Sequence, residues 1–261
     1  MSATPSLNAT LPQRLGDFGT LTEALDYAAL GETGLNLHSP KGDLVAVIPY
    51  RTLREEARAL AGRMLAAGLK PGERVAMIAD TDADFVRAFF ACQYAGLVPA
   101  PLPLPAAFGG KDAYIAHIRR MIESARATAA LGPADLQAWL TEAAQGLDLA
   151  ILGGLDAFPE AGLPESALPP IHPEDLCYLQ FSSGSTRFPL GISVTQAALM
   201  ANAAAICQHG LVVRPGDRAV SWLPLYHDMG LVGFLLTPLC GQLSIDLMPP
   251  RARWTGPAPR S

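Results

Sequence analysis

Between residues 74 and 152 the chain alternates between two spacings of apolar residues, and this alternation limits the fold more than any other feature. The runs at 74–79, 97–104, 128–131 and 149–152 are short and apolar almost throughout. The stretches 82–95, 113–126 and 133–144 read as helices instead, with Phe85, Phe89 and Cys92 at helical spacing in the first. Strands that are apolar on both sides are buried on both sides, which calls for a parallel sheet covered by helices on each face. The expected class is therefore α/β.

The flanking segments fit such a core. Thr20 is placed to cap a helix over 20–30, with Glu23 three residues on in capping-box position. Runs at 35–38 and 44–49, split by Lys41-Gly42-Asp43, predict a hairpin. A helix over 50–68 follows, with Leu53, Ala57, Leu60, Ala61, Met64 and Leu65 on one face and Gly68 at its end. Residues 156–173 carry five prolines and little periodicity, as expected of a surface connection and a candidate subdomain junction. Beyond it the pattern predicts strands at 176–181 and 192–194, a helix over 195–208 and a strand at 218–223. A turn at 224–228, an apolar helix over 230–240 and a last strand at 243–248 complete it. Residues 1–248 read as one domain, and 249–261 as an unpatterned tail.

Composition excludes several classes. The net charge is −5 and no Lys/Arg-rich block occurs, so nothing invites a nucleic acid. Cys92, Cys177, Cys207 and Cys240 form no CxxC pair, which points to buried thiols rather than zinc or a redox dithiol. The N-terminus lacks a basic start followed by an apolar core, and the most apolar stretch, 231–243, is too short to span a bilayer and contains Pro238. A soluble, cytoplasmic protein without a membrane span is expected.

The chemistry concentrates in the loop Ser182-Ser183-Gly184-Ser185-Thr186-Arg187-Phe188-Pro189-Leu190-Gly191 between two predicted strands. Hydroxyls and backbone N–H groups converging in one loop can each donate to anionic oxygens, and Arg187 adds a planar cation. That makes it a candidate phosphate loop, although Ser/Gly composition by itself is met more often in solvated polar hairpins. Neither GxxxxGK[ST] nor a GxGxxG after a strand is present, which argues against a P-loop NTPase or a dinucleotide enzyme.

The segment 178–186, YLQFSSGST, resembles the nucleotide-phosphate loop of the adenylate-forming superfamily, and 221–231, SWLPLYHDMGL, resembles that family's next motif. The stretch 69–105, with PGERVAMI and YAGLVPAPLPLP, resembles its first half, so the likeness runs to about Met248. Most members have a lysine where Leu190 stands and glycine where Arg187 stands. The form SGSTRxPxG with WLPxYHDMGL resembles the fatty acyl-AMP ligases. The fold so implied is the incomplete large N-terminal domain of an adenylate-forming enzyme.

The resemblance implies activation of a fatty acid by ATP, with Mg²⁺, and transfer of the acyl group to an acyl carrier protein. A long-chain acyl-CoA synthetase and a non-catalytic fragment are the alternatives. Ser182, Ser183, Gly184, Ser185, Thr186 and Arg187 would hold the phosphates. His227, which alone would read as a core histidine, takes a catalytic place beside the reacting oxygens because it occupies the matching motif position. Asp228 is expected to cap the helix after it, Trp222 to pack in the core, and 231–239 either to line an acyl tunnel or simply to be buried. The family's adenine segment, ribose-binding aspartate and lysine-bearing C-terminal domain are not found in the sequence. The chain by itself is therefore expected to be inactive in adenylation.

Overall fold

The structure, a computed structural model, describes residues 11–105, 110–181 and 190–250. The alternating stretch forms a four-stranded sheet in the order β4-β3-β5-β6, from β3 (Arg74–Ile78), β4 (Val98–Leu102), β5 (Ala129–Leu131) and β6 (Ile151–Gly153). All its pairings are parallel. Helices α3 (Ala83–Tyr94), α4 (Lys111–Ala125) and α5 (Gln137–Ala143) make the crossovers.

The pleat divides the strand residues between two cores. Val75, Met77, Ala129 and Leu131 join one cluster with Phe85, Phe89 and Phe90 of α3 and Leu53, Leu60 and Met64 of α2 (Tyr50–Ala66). Ala76, Ile78 and Ala130 join the other with Ile118, Met121 and Ile122 of α4 and Leu140 of α5. Burial on both faces is the reason these strands carry no polar alternation.

A second sheet, ordered β2-β1-β10-β9, is mixed. It contains the predicted hairpin, β1 (Gly34–His38) antiparallel to β2 (Leu44–Pro49), with β10 (Ser244–Leu247) and β9 (Arg218–Ser221) added in parallel. Leu35, Leu37, Ile48, Ile245 and Leu247 face the core. Asn36, His38 and Asp246 alternate with them on the other face, and Val45, Val47 and Val220 are exposed. A third sheet is the antiparallel pair β7 (Leu176–Phe181) and β8 (Gly191–Thr195), with β7 running beside β4. Parallel sheets with helices are thus present as expected, but distributed over more than one sheet and edged by antiparallel pairs.

Local signals mostly hold to within a residue or two. In α1 (Leu21–Ala28) the Thr20 side chain accepts from the Glu23 N–H at 3.2 Å, while the Glu23 carboxylate accepts from Gly19 N–H at 2.8 Å. The reciprocal bond falls one residue earlier than in an ordinary capping box. The proline-rich connection lies across α2: Leu163 N–H donates to the Gly62 carbonyl. The Arg63 guanidinium donates to the carbonyls of Leu155, Phe158 and Pro159.

All four cysteines are free and buried. Burial raises the thiol pKa of each, that of Cys207 to about 11 and the others higher still. No helix among the described residues is long and apolar enough to cross a membrane.

His38, Asp246, Asn36 and Arg218 form a polar network on the open face of the mixed sheet. Asp246 Oδ1 lies 3.0 Å from His38 Nε2 and accepts from Asn36 at 3.0 Å, and Oδ2 accepts from Arg218 at 2.6 Å. The hydrogen bond to Asp246 raises the His38 pKa above 6.5 against the opposing effect of burial. For Asp246 burial acts upward, but the bonds from His38, Arg218 and Asn36 hold its carboxyl below 3.8. Folding thus favours protonated His38, and that contribution is complete below its ordinary value and fades as pH rises through the folded one. The Asp246 contribution is present above its ordinary value and is lost on acidification. In urea denaturation across pH, His38→Gln should flatten the decline on the alkaline side of 6.5 and leave a weaker acid-side fall. Asp246→Asn should flatten both limbs.

Candidate adenylation site

Strand β7 leads into the serine-rich loop, and its partner β8 receives the chain again at Gly191. Ser182, Ser183, Gly184, Ser185, Thr186 and Arg187 themselves lie outside the described residues. Leu190, where the family has its lysine, is 60% exposed at the entry to β8. The flanking strands pair from Leu176↔Thr195 to Phe181↔Gly191, so the loop's two ends are fixed next to each other. Thr195 then caps α6 (Gln196–Ala205), accepting from the Ala198 N–H at 3.2 Å.

The second motif is a tight turn after β9. Ser221 Oγ accepts from Leu223 N–H at 3.0 Å, and His227 N–H donates to the Pro224 carbonyl at 3.2 Å. Leu225 is fully buried and anchors the turn. His227 is half-buried, with its ring 4.6 Å from that of Tyr226, and its carbonyl accepts from Leu231 N–H at 2.8 Å. Asp228 caps the following helix, as expected: its Oδ1 accepts from Met229 N–H at 2.7 Å.

That helix differs from expectation. Residues Met229–Leu236 are wound as a π-helix and only Thr237–Cys240 (α7) as an α-helix. Leu231, Val232, Leu235, Leu236 and Leu239 are buried in the first core, which favours simple burial over a tunnel wall. Trp222 is a correction: it is 62% exposed instead of packed in the core. It follows an edge strand whose inward residue is Ser221, so strand alternation turns it outward.

The two motifs meet through Gln180. Its Nε2 donates to the Tyr226 carbonyl at 3.0 Å and to the Phe181 carbonyl at 3.2 Å. Its Oε1 is buried and has no hydrogen-bond partner among the described residues. Tyr178, two residues earlier, lies within reach of the Asp228 charge; burial, then Cys177 and Asp228, raises its phenol pKa. The strand that opens the serine-rich loop is therefore tied to the turn that carries His227. Gln180 lies within the 178–186 motif, and its one sequence signal is a polar amide in an otherwise largely apolar strand.

The AMP-binding enzyme family model matches residues 43–259. The chain belongs to the AMP-binding enzymes. It is 58% identical over 237 residues to a Caulobacter vibrioides protein that carries an acyl-CoA synthetase name, spanning 90% of this chain and 41% of that one. It is 31% identical over 204 residues to the long-chain-fatty-acid–AMP ligase FadD32 of Mycolicibacterium smegmatis, covering 74% of this chain and 30% of that ligase. A solved structure from a study of fatty acyl-adenylate ligases of E. coli and L. pneumophila superposes with a TM-score of 0.87 at 45% identity. That match covers 92% of this chain and 43% of the other. The chain thus spans about two fifths or less of the length of these relatives. The fold is the N-terminal part of an adenylate-forming enzyme.

Close approach at Gly230 sets the shape of the turn at 224–230. A Cβ there would sit 2.2 Å from the Pro224 carbonyl oxygen, which is backbone and cannot swing aside. Gly230→Ala should lower stability by about 1–3 kcal/mol, the usual range for overpacking. Gly233→Ala, whose Cβ would meet only Met229 Cγ at 3.9 Å, should be near neutral. Gln180→Leu should cost about 1–3 kcal/mol by leaving two part-buried carbonyls without this donor. Urea midpoints of the three variants check these values.

Proposed function

We propose that the chain is the phosphate-binding and substrate-positioning part of an ATP-dependent fatty acyl-AMP ligase whose acceptor is an acyl carrier protein. The observation that carries this reading is the Gln180 link, which holds the root of the serine-rich loop against the His227 turn. In the reaction a fatty carboxylate oxygen attacks the α-phosphorus of ATP. The bond from that phosphorus to the bridging oxygen breaks, and pyrophosphate leaves with both electrons, so an acyl–phosphate anhydride remains.

The hydroxyls of Ser182, Ser183, Ser185 and Thr186, with the backbone at Gly184, would donate to the phosphate oxygens. Arg187 would add charge beside them. His227 would order the carboxylate and phosphate oxygens as charge develops. Mg²⁺ would offset the charge of the phosphates.

The branch assignment rests on Arg187 and on Leu190 in the lysine's place, an apolar side chain exposed at the loop's exit. A second reading has its own support: the 58% identical relative carries an acyl-CoA synthetase name. The two readings differ in the acceptor alone, a carrier-protein thiol or coenzyme A.

In a protein carrying this chain together with the remainder found in its relatives, fatty acid and ATP should release pyrophosphate and yield acyl-adenylate. Addition of coenzyme A should give little thioester, whereas efficient thioester formation would assign the second reading. His227→Ala should lower the rate of pyrophosphate release by about a hundredfold or more, the scale for losing a charge-stabilising group. The 261 residues alone should show no turnover, because misplacement of the carboxylate and α-phosphate by about an ångström costs on the order of a hundredfold.

A further inference from the structure

The parallel sheet contains a crevice that shares no residue with the segments 176–195 and 221–230. Its strand order reverses at one place: β3 connects through α3 to β4 on one side, and the next crossover returns past β3 to β5 on the other. Open α/β sheets bind ligands at the carboxyl ends of the strands flanking such a switch. Here that position is a cavity of about 500 Å³. Its floor is the buried Met77, Ile78, Phe85, Ala88 and Leu131. Gly132, Gly153 and Gly154 line it just past β5 and at the end of β6.

The charged groups on this apolar crevice carry one sign, beside the neutral Gln137. Asp82, Asp84 and Asp156 line it, and none of the described lining residues is Lys, Arg or His. Asp84 is engaged by Arg87 at 3.3 Å, and Arg87 is held mainly by Glu56 at 2.7 Å. Asp82 lies deeper, capping α3 with one oxygen on the Phe85 N–H at 2.7 Å. Burial first, with the charges of Asp80 and Asp84 behind it, raises the Asp82 carboxyl above 3.8. A cation seated beside it offsets that penalty, whereas a phosphate or carboxylate would add to it.

We propose that the crevice between β3 and β5 binds an organic ammonium ion on a compact apolar body, the body over Phe85 and Ile78 and the ammonium between Asp82 and Asp156. Charge complementarity selects this occupant over the anions that usually bind at such switch points. The site is independent of the adenylation chemistry proposed above.

Calorimetric titration of the 261-residue chain with phenethylamine, and with 3-phenylpropanoate as its counterpart of opposite charge, tests the assignment. The amine should bind at least about tenfold more tightly than the carboxylate, and less tightly as salt is raised. Asp82→Asn, which keeps a capping oxygen, and Asp156→Asn should each weaken the amine about fivefold or more without moving the urea midpoint, given a partly exposed ion pair. Ala134→Phe, at the exposed mouth, should abolish binding by filling the crevice. Equal binding of amine and carboxylate, no amine binding at millimolar concentration, or unchanged affinity in both aspartate variants would overturn the proposal.

Discussion

One amide nitrogen holds the two motif segments together. Gln180 Nε2 serves the carbonyls of Phe181 and Tyr226, and those residues end one strand and precede the motif histidine. In an interior of low dielectric such bonds are stronger than in water, and the penalty for breaking them is larger. The rest of the local structure is arranged so that this contact can form. Leu225 is buried to set the turn's depth, and Gly230 lets the following helix pass against the Pro224 carbonyl. Asp228 closes that helix's first N–H. The pairing of β7 with β8 then brings the chain back at Gly191 beside Phe181.

The Oε1 of the same glutamine, without a partner among the described residues, is the complementary fact. Buried acceptors are nearly always satisfied, and this one belongs to a side chain whose other end is fully used. Its amide orientation is set by two carbonyl acceptors on Nε2, so a flip would exchange one unpaired group for two unfavourable contacts.

Much of the fold was legible in the sequence because its signals are local. The helix cap at Thr20, the hairpin across Lys41-Gly42-Asp43 and the apolar runs of the parallel sheet each depend on a few neighbouring residues. What escaped depends on distant partners. Nothing near residue 218 says that β9 is an edge strand, so Trp222 was assigned to a core it does not reach. The π-winding of Met229–Leu236 leaves no mark in the apolar spacing of that segment. The crevice of the parallel sheet is assembled from three separate segments, at 77–88, 131–137 and 152–157, and no single one announces it. In the candidate site the residue types are readable from sequence but the tether is not, since a glutamine in a strand has many possible partners.

The four buried cysteines carry a last consequence. Only a thiolate reacts readily, and each of these thiols is both shielded from solvent and held protonated by its surroundings. They are spread over the fold, with Cys92 on α3, Cys177 on β7, Cys207 beyond α6 and Cys240 at the end of α7. The rate at which each is alkylated therefore reports how often its own neighbourhood opens. The molecule carries four native clocks, one on the strand of the Gln180 tether and one at the end of the helix behind the His227 turn.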